Sequence, residues 1–444
     1  MLRISALTNC TKREIKPVNI LRALQARRIP KDKETTMEGK RLLTSSLLLL
    51  GLALASAPAD ATVNIQCPGD VNGDAVPDPL INNQPNPSFD PNVRCKHLAA
   101  GDGYIVMGDG SPKYIFGFSD VTGLQAQQAV DAGIMGASFS APTIEIDEGD
   151  KFYLNLTNVG MVNRPDLFDP HSVHYHGFPQ AAAIFDGVPE ASLAINPGST
   201  FTYFYNVMDP GTYIYHCHVE ATEHMQMGML GNLYVRAAQN RLPDGTALGA
   251  FTHSTGYKYA YNDGDGSTYY DVEYPLQISS FDGVFHDASE SVQPLPFALM
   301  RDNYGMINGR GYPDTINPGP LPAPAENGGK VSQNTSSLIQ AAQGQKILLR
   351  VSNVSVTRFF TLASLGVDMK VVGKDAKLLR GAGGVNLYYG TNSVTLGGGE
   401  TADVIIDTTG VQPGTYFLYT TNLHYLNNNE EDLGGIMTEI VVTQ

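Results

Sequence analysis

The sequence predicts an all-β protein built from two tandem β-sandwich domains. Composition is the first observation behind this prediction: of 444 residues, 46 are glycine and 27 are proline, and only 16% are charged. Such a chain suits short strands and many turns better than long charged helices. The second observation is a series of short runs with period-two alternation, and the third is a pattern that occurs in both halves. The length allows two or three domains with buried cores.

Residues 1–61 are predicted to be a leader. The apolar run Leu42–Ala55 follows a basic tripeptide and precedes a small-residue cleavage site that ends at Ala61. This is the layout of a secretory signal peptide over about 37–61, with everything before Met37 an upstream extension. The run is short for a membrane-spanning helix. We therefore expect a periplasmic or secreted protein with no membrane span in its mature form; an N-terminal anchor that is retained is the alternative.

Residues 62–97 form a segment rich in cysteine, proline and acidic residues. Cys67 and Cys95 flank it and can pair as a disulfide in an oxidising compartment. Between them, oxygen-bearing side chains recur at a spacing with which a short loop can surround a calcium ion. These residues are Asp70, Asn72, Asp74 and Asp78. The EF-hand pattern fails, because its sixth position is alanine and its twelfth is isoleucine. A solvated acidic turn fits the spacing as well as a calcium site does.

Strand-like runs fill the remaining chain and divide it into two domains. Residues 98–240 contain runs such as TIEIDEG, KFYLNLTN and TFTYFYNV. Residues 256–444 continue in the same style with KILLRVSN, ADVIIDT and MTEIVVT. Alternation of this kind predicts half-buried strands. Residues 241–255 lack the alternation and are predicted to be the linker.

The two halves share two sequence patterns. GDKFYLNLTN (149–158) resembles GQKILLRVSN (344–353), and PGTYIYH (210–216) resembles PGTYFLY (413–419). Internal duplication of one β-sandwich is the simplest account, because each unit buries one face of each sheet against the other.

The charge of the chain limits its partners. Residues 62–444 carry 18 lysines and arginines against 39 aspartates and glutamates, and no basic patch interrupts this balance. A surface of this sign repels phosphate groups. We therefore expect neither nucleic acid nor an anionic membrane surface as a partner.

Six of the ten histidines lie in or beside two short segments of the first half, HSVHYHG and YHCHVEATEHMQMGM. Side chains alternate between the two faces of a strand, so Cys217 faces away from the histidines on either side of it. In the first segment, His171 is out of register with the two histidines that follow. Two sets result. One contains His171, Cys217 and, after a loop, His224 with Met229. The other contains His174, His176, His216 and His218.

The first set is suited to copper. Two imidazoles, one thiolate and a weak axial thioether are typical of a blue-copper, or type 1, electron-transfer centre. Zinc would accept the histidines and the thiolate but does not need the methionine. By spacing, Met225, Met227 and Met229 are all candidates for the axial position. A buried core thiol is the alternative interpretation of Cys217.

At these residues the chain resembles the multicopper oxidase and copper nitrite reductase branch of the cupredoxin superfamily, over roughly residues 100–444. HSVHYHG resembles the family's HxxHxHG motif, and YHCHVEATEHMQMGM resembles HCHxxxHxxxxM with a longer loop before its third histidine. The resemblance implies two cupredoxin-like Greek-key domains, of which 256–444 has no type 1 copper. It also implies that His171 binds type 1 copper, with Met229 as the axial ligand. His174 and His176 would then belong to a type 2 or partial type 2/3 copper site.

The first half resembles the oxidases and the second half resembles the reductases. A laccase-type cluster uses eight histidines, whereas the two motifs supply four and no other His-x-His pair follows. In the reductases, a single histidine from a neighbouring subunit completes a type 2 copper site in a homotrimer. His424 lies near the matching position, which implies that His176, His216 and a neighbour's His424 bind a type 2 copper. A surface turn histidine is the alternative interpretation of His424.

The resemblance implies an exported copper-dependent oxidoreductase. The adjacency of His216, Cys217 and His218 gives electrons a covalent path from type 1 copper to the second site. A redox protein or small molecule would donate the electrons, and a small acceptor, dioxygen or nitrite, would receive them. His174 and His218, where not metal-bound, are candidate catalytic residues that donate protons or orient a ligand. The alternative is a type 1 copper electron-transfer or copper-binding protein without catalysis; the histidines of the second set favour the enzyme.

Overall fold

The structure, a computed structural model, describes residues 63–291 and 294–444. Strands dominate the described chain, so the all-β prediction is confirmed. The predicted leader lies outside the described residues. Among the residues that are described, no helix combines the length and the apolar character needed to cross a membrane.

Two four-stranded sheets form the first sandwich. One contains, in spatial order, Pro112–Asp120, Val93–Val106, Lys151–Gly160 and Thr200–Asn206. The other contains Ile144–Asp147, Leu230–Arg236, Gly211–His216 and His174–Tyr175. The inner faces of the two sheets bury a shared apolar core. Its members include Leu98, Tyr114, Phe116, Leu154, Tyr203, Leu233, Cys217 and Met229.

A larger and a smaller sheet form the second sandwich. The larger contains, in spatial order, Lys377–Leu378, Met369–Lys374, Thr401–Asp407, Lys346–Asn353, Val272–Phe281, Tyr304–Ile307, Asn427–Asn428 and Glu431–Asp432, and Tyr389–Thr391 also pairs with Met369–Lys374. The smaller contains Ile339–Ala342, Met437–Thr443, Gly414–Thr420, Phe360–Leu365 and Ser393–Leu396. Aliphatic side chains dominate the core between them. They include Leu276, Ile278, Leu349, Val404, Leu418 and Ile440.

The strand order of the first sandwich recurs in the second. Lys151–Gly160 and Lys346–Asn353, which contain the first repeated pattern, each lie between one parallel and one antiparallel neighbour. Gly211–His216 and Gly414–Thr420, which contain the second pattern, each lie between two antiparallel neighbours in the other sheet. The two sandwiches therefore share one topology, as the predicted duplication requires.

Short elements complete the described chain. The α-helices are Ala126–Gly133, Ala221–Met227 and Gly283–Ser289. The 3-10 turns are Ala183–Phe185, Ala238–Arg241, Phe297–Leu299, Asp314–Ile316, Ala325–Asn327, Ala382–Gly384 and Leu423–Tyr425. The two-stranded ribbons are Leu80–Ile81 with Gln84–Pro85, Ala247–Leu248 with Phe251–Thr252, and Lys258–Tyr259 with Tyr269–Tyr270. One ribbon lies inside the predicted linker 241–255; the domain boundaries themselves stay predictions.

The N-terminal segment is tied to the first sandwich by the predicted disulfide. Cys67 and Cys95 are bonded, and Cys95 lies on a strand of the sheet. In the acidic loop, both carboxylate oxygens of Asp70 accept backbone N–H bonds, and Asp74 and Asp78 each accept one. Backbone N–H groups of the loop therefore already bond to at least one oxygen of each of these three carboxylates. Calcium binding stays a prediction.

Candidate metal centres

His171, Cys217 and His224 meet in the core of the first sandwich. Their ligand atoms lie within 4.8 Å of one another, and all three residues are buried. Cys217 Sγ is 3.1 Å from Nδ1 of His224 and 3.8 Å from Nδ1 of His171. This is the grouping that strand alternation predicts.

A short helix, where the sequence led us to expect a loop, presents His224. It spans Ala221–Met227 and ends at Gly228, which has a φ of 120°. A Cβ atom at Gly228 would lie 2.9 Å from the carbonyl oxygen of Phe116. Only glycine combines this backbone angle with so close an approach. The end of the helix is therefore fixed against a core strand, and His224 is fixed with it.

The methionines that follow His224 differ in their surroundings. Met227 and Met229 are buried in the same core cluster as Cys217, whereas Met225 packs against a separate cluster. The carbonyl of Met229 also accepts a hydrogen bond from the backbone N–H of Cys217 at 3.1 Å. These contacts favour Met229 or Met227 over Met225. The assignment of Met229 as axial ligand stays a prediction.

The surroundings of Cys217 favour a thiolate. Burial alone would raise the pKa of its thiol, but the charge of His224 and hydrogen bonds from His171 and His224 lower the pKa to about 5. The backbone N–H of Ser172 also donates to Sγ, at 3.4 Å. A thiolate is the form of cysteine that binds metal. With two imidazoles beside it, the donor set fits copper.

Asp169 binds the ring nitrogen of His224 that faces away from Cys217. Nε2 of His224 donates to the Asp169 carboxylate at 3.1 Å, which turns Nδ1 toward the thiolate. A carboxylate in this position fixes the tautomer and the ring orientation of a metal-binding histidine. The sequence reasoning missed Asp169. In the sequence, only its position two residues before His171 pointed to this residue.

We expect Asp169→Asn to weaken copper binding at Cys217 by roughly 10–100-fold, the usual effect of losing an outer-shell partner of a metal ligand. Competition with a Cu(I) chelator measures the affinity. Asp166→Asn is the matched control, because it removes only an ion pair between Arg164 and an exposed carboxylate. Equal affinities for the two variants would contradict the assigned role of Asp169.

His174, His176 and His216 form a second cluster, again with ligand atoms within 4.8 Å of one another. The Nε2 atoms of His176 and His216 are 3.0 Å apart. All three Nδ1 atoms face backbone carbonyl groups. Nδ1 of His174 is 2.7 Å from the carbonyl oxygen of Asp186, and Nδ1 of His176 is 3.4 Å from that of Gly399. Nδ1 of His216 is 2.7 Å from the carbonyl oxygen of Cys217.

The tautomers follow from these carbonyl groups. A carbonyl oxygen only accepts hydrogen bonds, so each Nδ1 carries the proton and each Nε2 presents a lone pair. Two lone pairs at 3.0 Å, those of His176 and His216, repel each other unless a cation lies between them. Neutral imidazoles with converging Nε2 atoms are a common metal-ligand arrangement. The second cluster therefore fits a metal ion.

The second sandwich supplies one of these carbonyl groups. Gly399 has a φ of 91°, and a Cβ atom there would lie 2.6 Å from Nδ1 of His176. Beside this contact lies a cavity of about 290 Å³, also lined by Thr212, Asp375 and Glu400. The sequence reasoning did not find this contact, because 223 positions separate its two residues.

Burial keeps two members of the second cluster, His176 and His216, neutral. It lowers the pKa of His216 to about 3, and the neighbouring His176 lowers it further in the same direction. Burial also lowers the pKa of His176. Histidine binds metal in its neutral form, so the site is ready for a metal ion at neutral pH.

We expect the metal-free protein to lose stability as the pH falls from about 6.5 toward about 3. The folded pKa values of His216 and His97 are about 3 and about 4, both lowered by burial. An unfolded histidine binds a proton below about 6.5, so the unfolded state gains protons that the folded state does not. Each group then costs about 2 kcal/mol at about pH 5. Guanidinium unfolding at neutral pH and at about pH 5 measures the loss; an unchanged free energy would contradict it.

The two remaining predicted site histidines lie in different places. The ring centre of His218 is 5.0 Å from that of His174 and 5.5 Å from that of His216, so it lies beside the second cluster on the predicted face. His424 is exposed in the turn Leu423–Tyr425 and lines a surface cavity of about 380 Å³. Within one chain, the close group of the second cluster does not include His424.

The chain is similar in sequence to known proteins. Two sequence profiles, both described as multicopper oxidase, match residues 122–240 and 285–444. The multicopper oxidase MmcO of Mycobacterium tuberculosis is 27% identical over 253 residues, which are 54% of this chain and 42% of that protein. The chain spans less than half the length of the curated relatives that it matches.

Solved structures confirm the fold. A blue copper oxidase from Nitrosomonas europaea is 24% identical with a TM-score of 0.56, over 79% of this chain and 86% of that one. Copper nitrite reductase from the same organism is 16% identical with a TM-score of 0.52, over 79% and 94%. The predicted tandem cupredoxin fold is therefore confirmed.

Proposed function

Because this chain belongs to the multicopper oxidase family, we propose that it is an exported copper-dependent oxidoreductase with two copper sites. Copper at these sites would supply one-electron transfer from a donor and reduction of a small acceptor, dioxygen or nitrite. The Cys67–Cys95 disulfide supports export to the periplasm or the medium, since such bonds persist in oxidising compartments.

The observation that carries the proposal is the pair of Nε2 atoms of His176 and His216, 3.0 Å apart. A type 1 copper electron carrier needs only the cluster around Cys217. It has no use for a second set of imidazoles whose Nε2 lone pairs converge. The second cluster therefore favours the enzyme over the carrier.

The residues of the first cluster would hold type 1 copper. His171, Cys217 and His224 provide the three strong ligands and Met229 the weak axial one. Asp169 keeps the ring of His224 in place. This set is surrounded by apolar core side chains, so water is kept away from the thiolate.

The chain itself joins the two sites. His216 and Cys217 are neighbours in sequence, and Nδ1 of His216 donates to the carbonyl of Cys217 at 2.7 Å. Electrons therefore have a path of covalent bonds and one hydrogen bond from the thiolate to the second cluster. His218, partly exposed beside it, is placed to carry a proton to the acceptor, and His174 is held by the carbonyl of Asp186.

A homotrimer would bring His424 of one subunit to the second cluster of the next. His424 is exposed, as the proposal requires. Two large apolar side chains, Leu423 next to it in sequence and Phe359 next to Arg358 of the same surface cavity, are 76% and 75% exposed. Exposed apolar surface of this kind is typical of protein interfaces.

We expect His424→Ala to lower the copper content at the second cluster and to leave the blue absorption of the first unchanged. The reason is that the variant removes one imidazole from a site built between subunits. Metal analysis, visible absorption and sedimentation test these points together. Glu430→Ala, an exposed position nearby in sequence, is the control. A monomer that binds full copper despite His424→Ala would contradict the intersubunit site.

Consumption of dioxygen and of nitrite by the copper-loaded protein, with a one-electron donor in excess, tests the function itself. The proposal predicts turnover of one of the two acceptors. If the protein takes up electrons and passes them to neither acceptor, it is an electron carrier.

A further inference from the structure

A line of aromatic rings leads from His224 toward the surface of the first sandwich. The ring centres of His224 and Phe116 are 5.9 Å apart, those of Phe116 and Tyr114 are 5.6 Å apart, and those of Tyr114 and Tyr104 are 5.4 Å apart. Tyr104 and Tyr114 are directly opposite each other on neighbouring strands. The line begins in the buried core and ends at Tyr104, which is partly exposed.

Both tyrosines in this line donate to a carboxylate. The Tyr114 hydroxyl donates to Asp102 at 2.9 Å, and the Tyr104 hydroxyl donates to Glu290 at 3.4 Å. Asp102 is fully buried, and its Oδ1 atom has no hydrogen-bond partner among the described residues. A carboxylate that accepts a hydrogen bond from a phenol is placed to receive the proton of that phenol.

Neighbouring tyrosines in the same core lack such a base. The hydroxyl of Tyr205 donates to the carbonyl of Phe185, and that of Tyr215 donates to the carbonyl of Pro142. A backbone carbonyl does not accept a proton outright. Burial, and then the charge of Asp102, raise the pKa of Tyr114 above its usual range. Tyr114 therefore stays protonated until it loses an electron, at which point its proton has a place to go.

We propose that Tyr114 and Tyr104 form an electron relay between the Cys217 cluster and the protein surface. The relay rests on the proposed function, because oxidised copper at that cluster is its oxidant. The relay would carry electrons from donors that do not contact His224, because the Asp169 carboxylate lies against Nε2 of the His224 ring.

Each step of the relay moves one electron, and the proton of each tyrosine moves only between its hydroxyl and the carboxylate beside it. Tyr114 gives an electron through Phe116 toward the cluster while its hydroxyl proton moves to Asp102, which leaves a neutral phenoxyl radical and a neutral carboxylic acid. Tyr104 then gives an electron to Tyr114, which recovers its proton from Asp102, and the proton of Tyr104 moves to Glu290. A one-electron reductant at the surface finally reduces Tyr104, which recovers that proton. The net result is one electron inward and no net movement of protons.

The first experiment uses the full chain without copper, so that it does not depend on the proposed function. A ruthenium polypyridyl oxidant is generated by a flash in the presence of persulfate, and the frozen sample is examined by electron paramagnetic resonance. We expect a phenoxyl signal that loses most of its amplitude in Tyr114→Phe and decays faster in Asp102→Asn. Tyr205→Phe, which removes a buried hydroxyl bonded only to a carbonyl, should keep the signal. Equal amplitudes in Tyr114→Phe and Tyr205→Phe would overturn the relay.

The second experiment uses the copper-loaded protein. Bleaching of its blue absorption by hexaammineruthenium(II) should be slower in Tyr104→Phe than in Tyr205→Phe. Tyr104 is partly exposed, so its variant tests the relay without a change in the core. Equal bleaching rates would overturn the relay. If no blue copper forms, the proposed function fails, while the phenoxyl result still decides whether the tyrosine pair exchanges electrons.

Discussion

Copper-loaded Cys217→Ser is expected to lose the blue absorption entirely and to reduce neither dioxygen nor nitrite. The hydroxyl of serine stays protonated where the thiol, with a pKa near 5, is ionised. The soft ligand that selects copper is then missing, and the two buried imidazoles beside it cannot hold the ion alone. The loss of affinity should exceed the roughly 10–100-fold that follows removal of an outer-shell partner. Visible spectroscopy and metal analysis measure the change.

Met225→Leu is the matched control for this prediction. It changes a sulfur-containing side chain on the same segment that packs in a different cluster, and the volume is nearly conserved. Its blue absorption and its turnover should match those of the unmodified protein. Retention of the blue absorption by Cys217→Ser would refute the first cluster as a type 1 copper site.

The double variant His176→Ala, His216→Ala should keep the blue absorption, lose the second copper and lose all turnover. It removes both Nε2 atoms of the 3.0 Å pair, so that His174 is left as the remaining member of the close group. The ligands around Cys217 are untouched. The blue absorption is therefore an internal control for folding and for copper loading of the first cluster.

Stopped-flow reduction of the double variant, followed by an assay with each acceptor, gives the decisive comparison. Electrons should enter at the normal rate and then remain on the first cluster. Turnover that survived the double substitution would exclude the second cluster as the reaction centre and would leave its histidines without a chemical role.

Strand alternation was enough to predict that Cys217 and His216 belong to different clusters, whereas His224 joins the first cluster from a helix. Cys217 and His216 are adjacent, and their side chains point to opposite faces because the strand repeats every two residues. The same rule separated His171 from His174. The fold class followed from the same alternation, together with the patterns repeated at 149–158 and 344–353.

Contacts that depend on tertiary structure could not be predicted from the sequence. The carbonyl of Gly399 reaches His176 from the other sandwich, and no local pattern encodes the packing of one sandwich on another. The helix that carries His224 is only seven residues long, too short for helical periodicity to stand out from a loop. The pairing of Tyr104 with Tyr114 depends on the register between two strands, which becomes known only when the sheet is formed.

We propose that one chain binds copper at two chemically different sites. The decisive measurement is copper per chain on the fully loaded protein, together with electron paramagnetic resonance. We expect two coppers per chain, one with the type 1 signal and one with the type 2 signal. A single copper of type 1 would contradict it and support an electron carrier. Three or four coppers with a coupled, silent pair would also contradict it and would support a complete oxidase cluster.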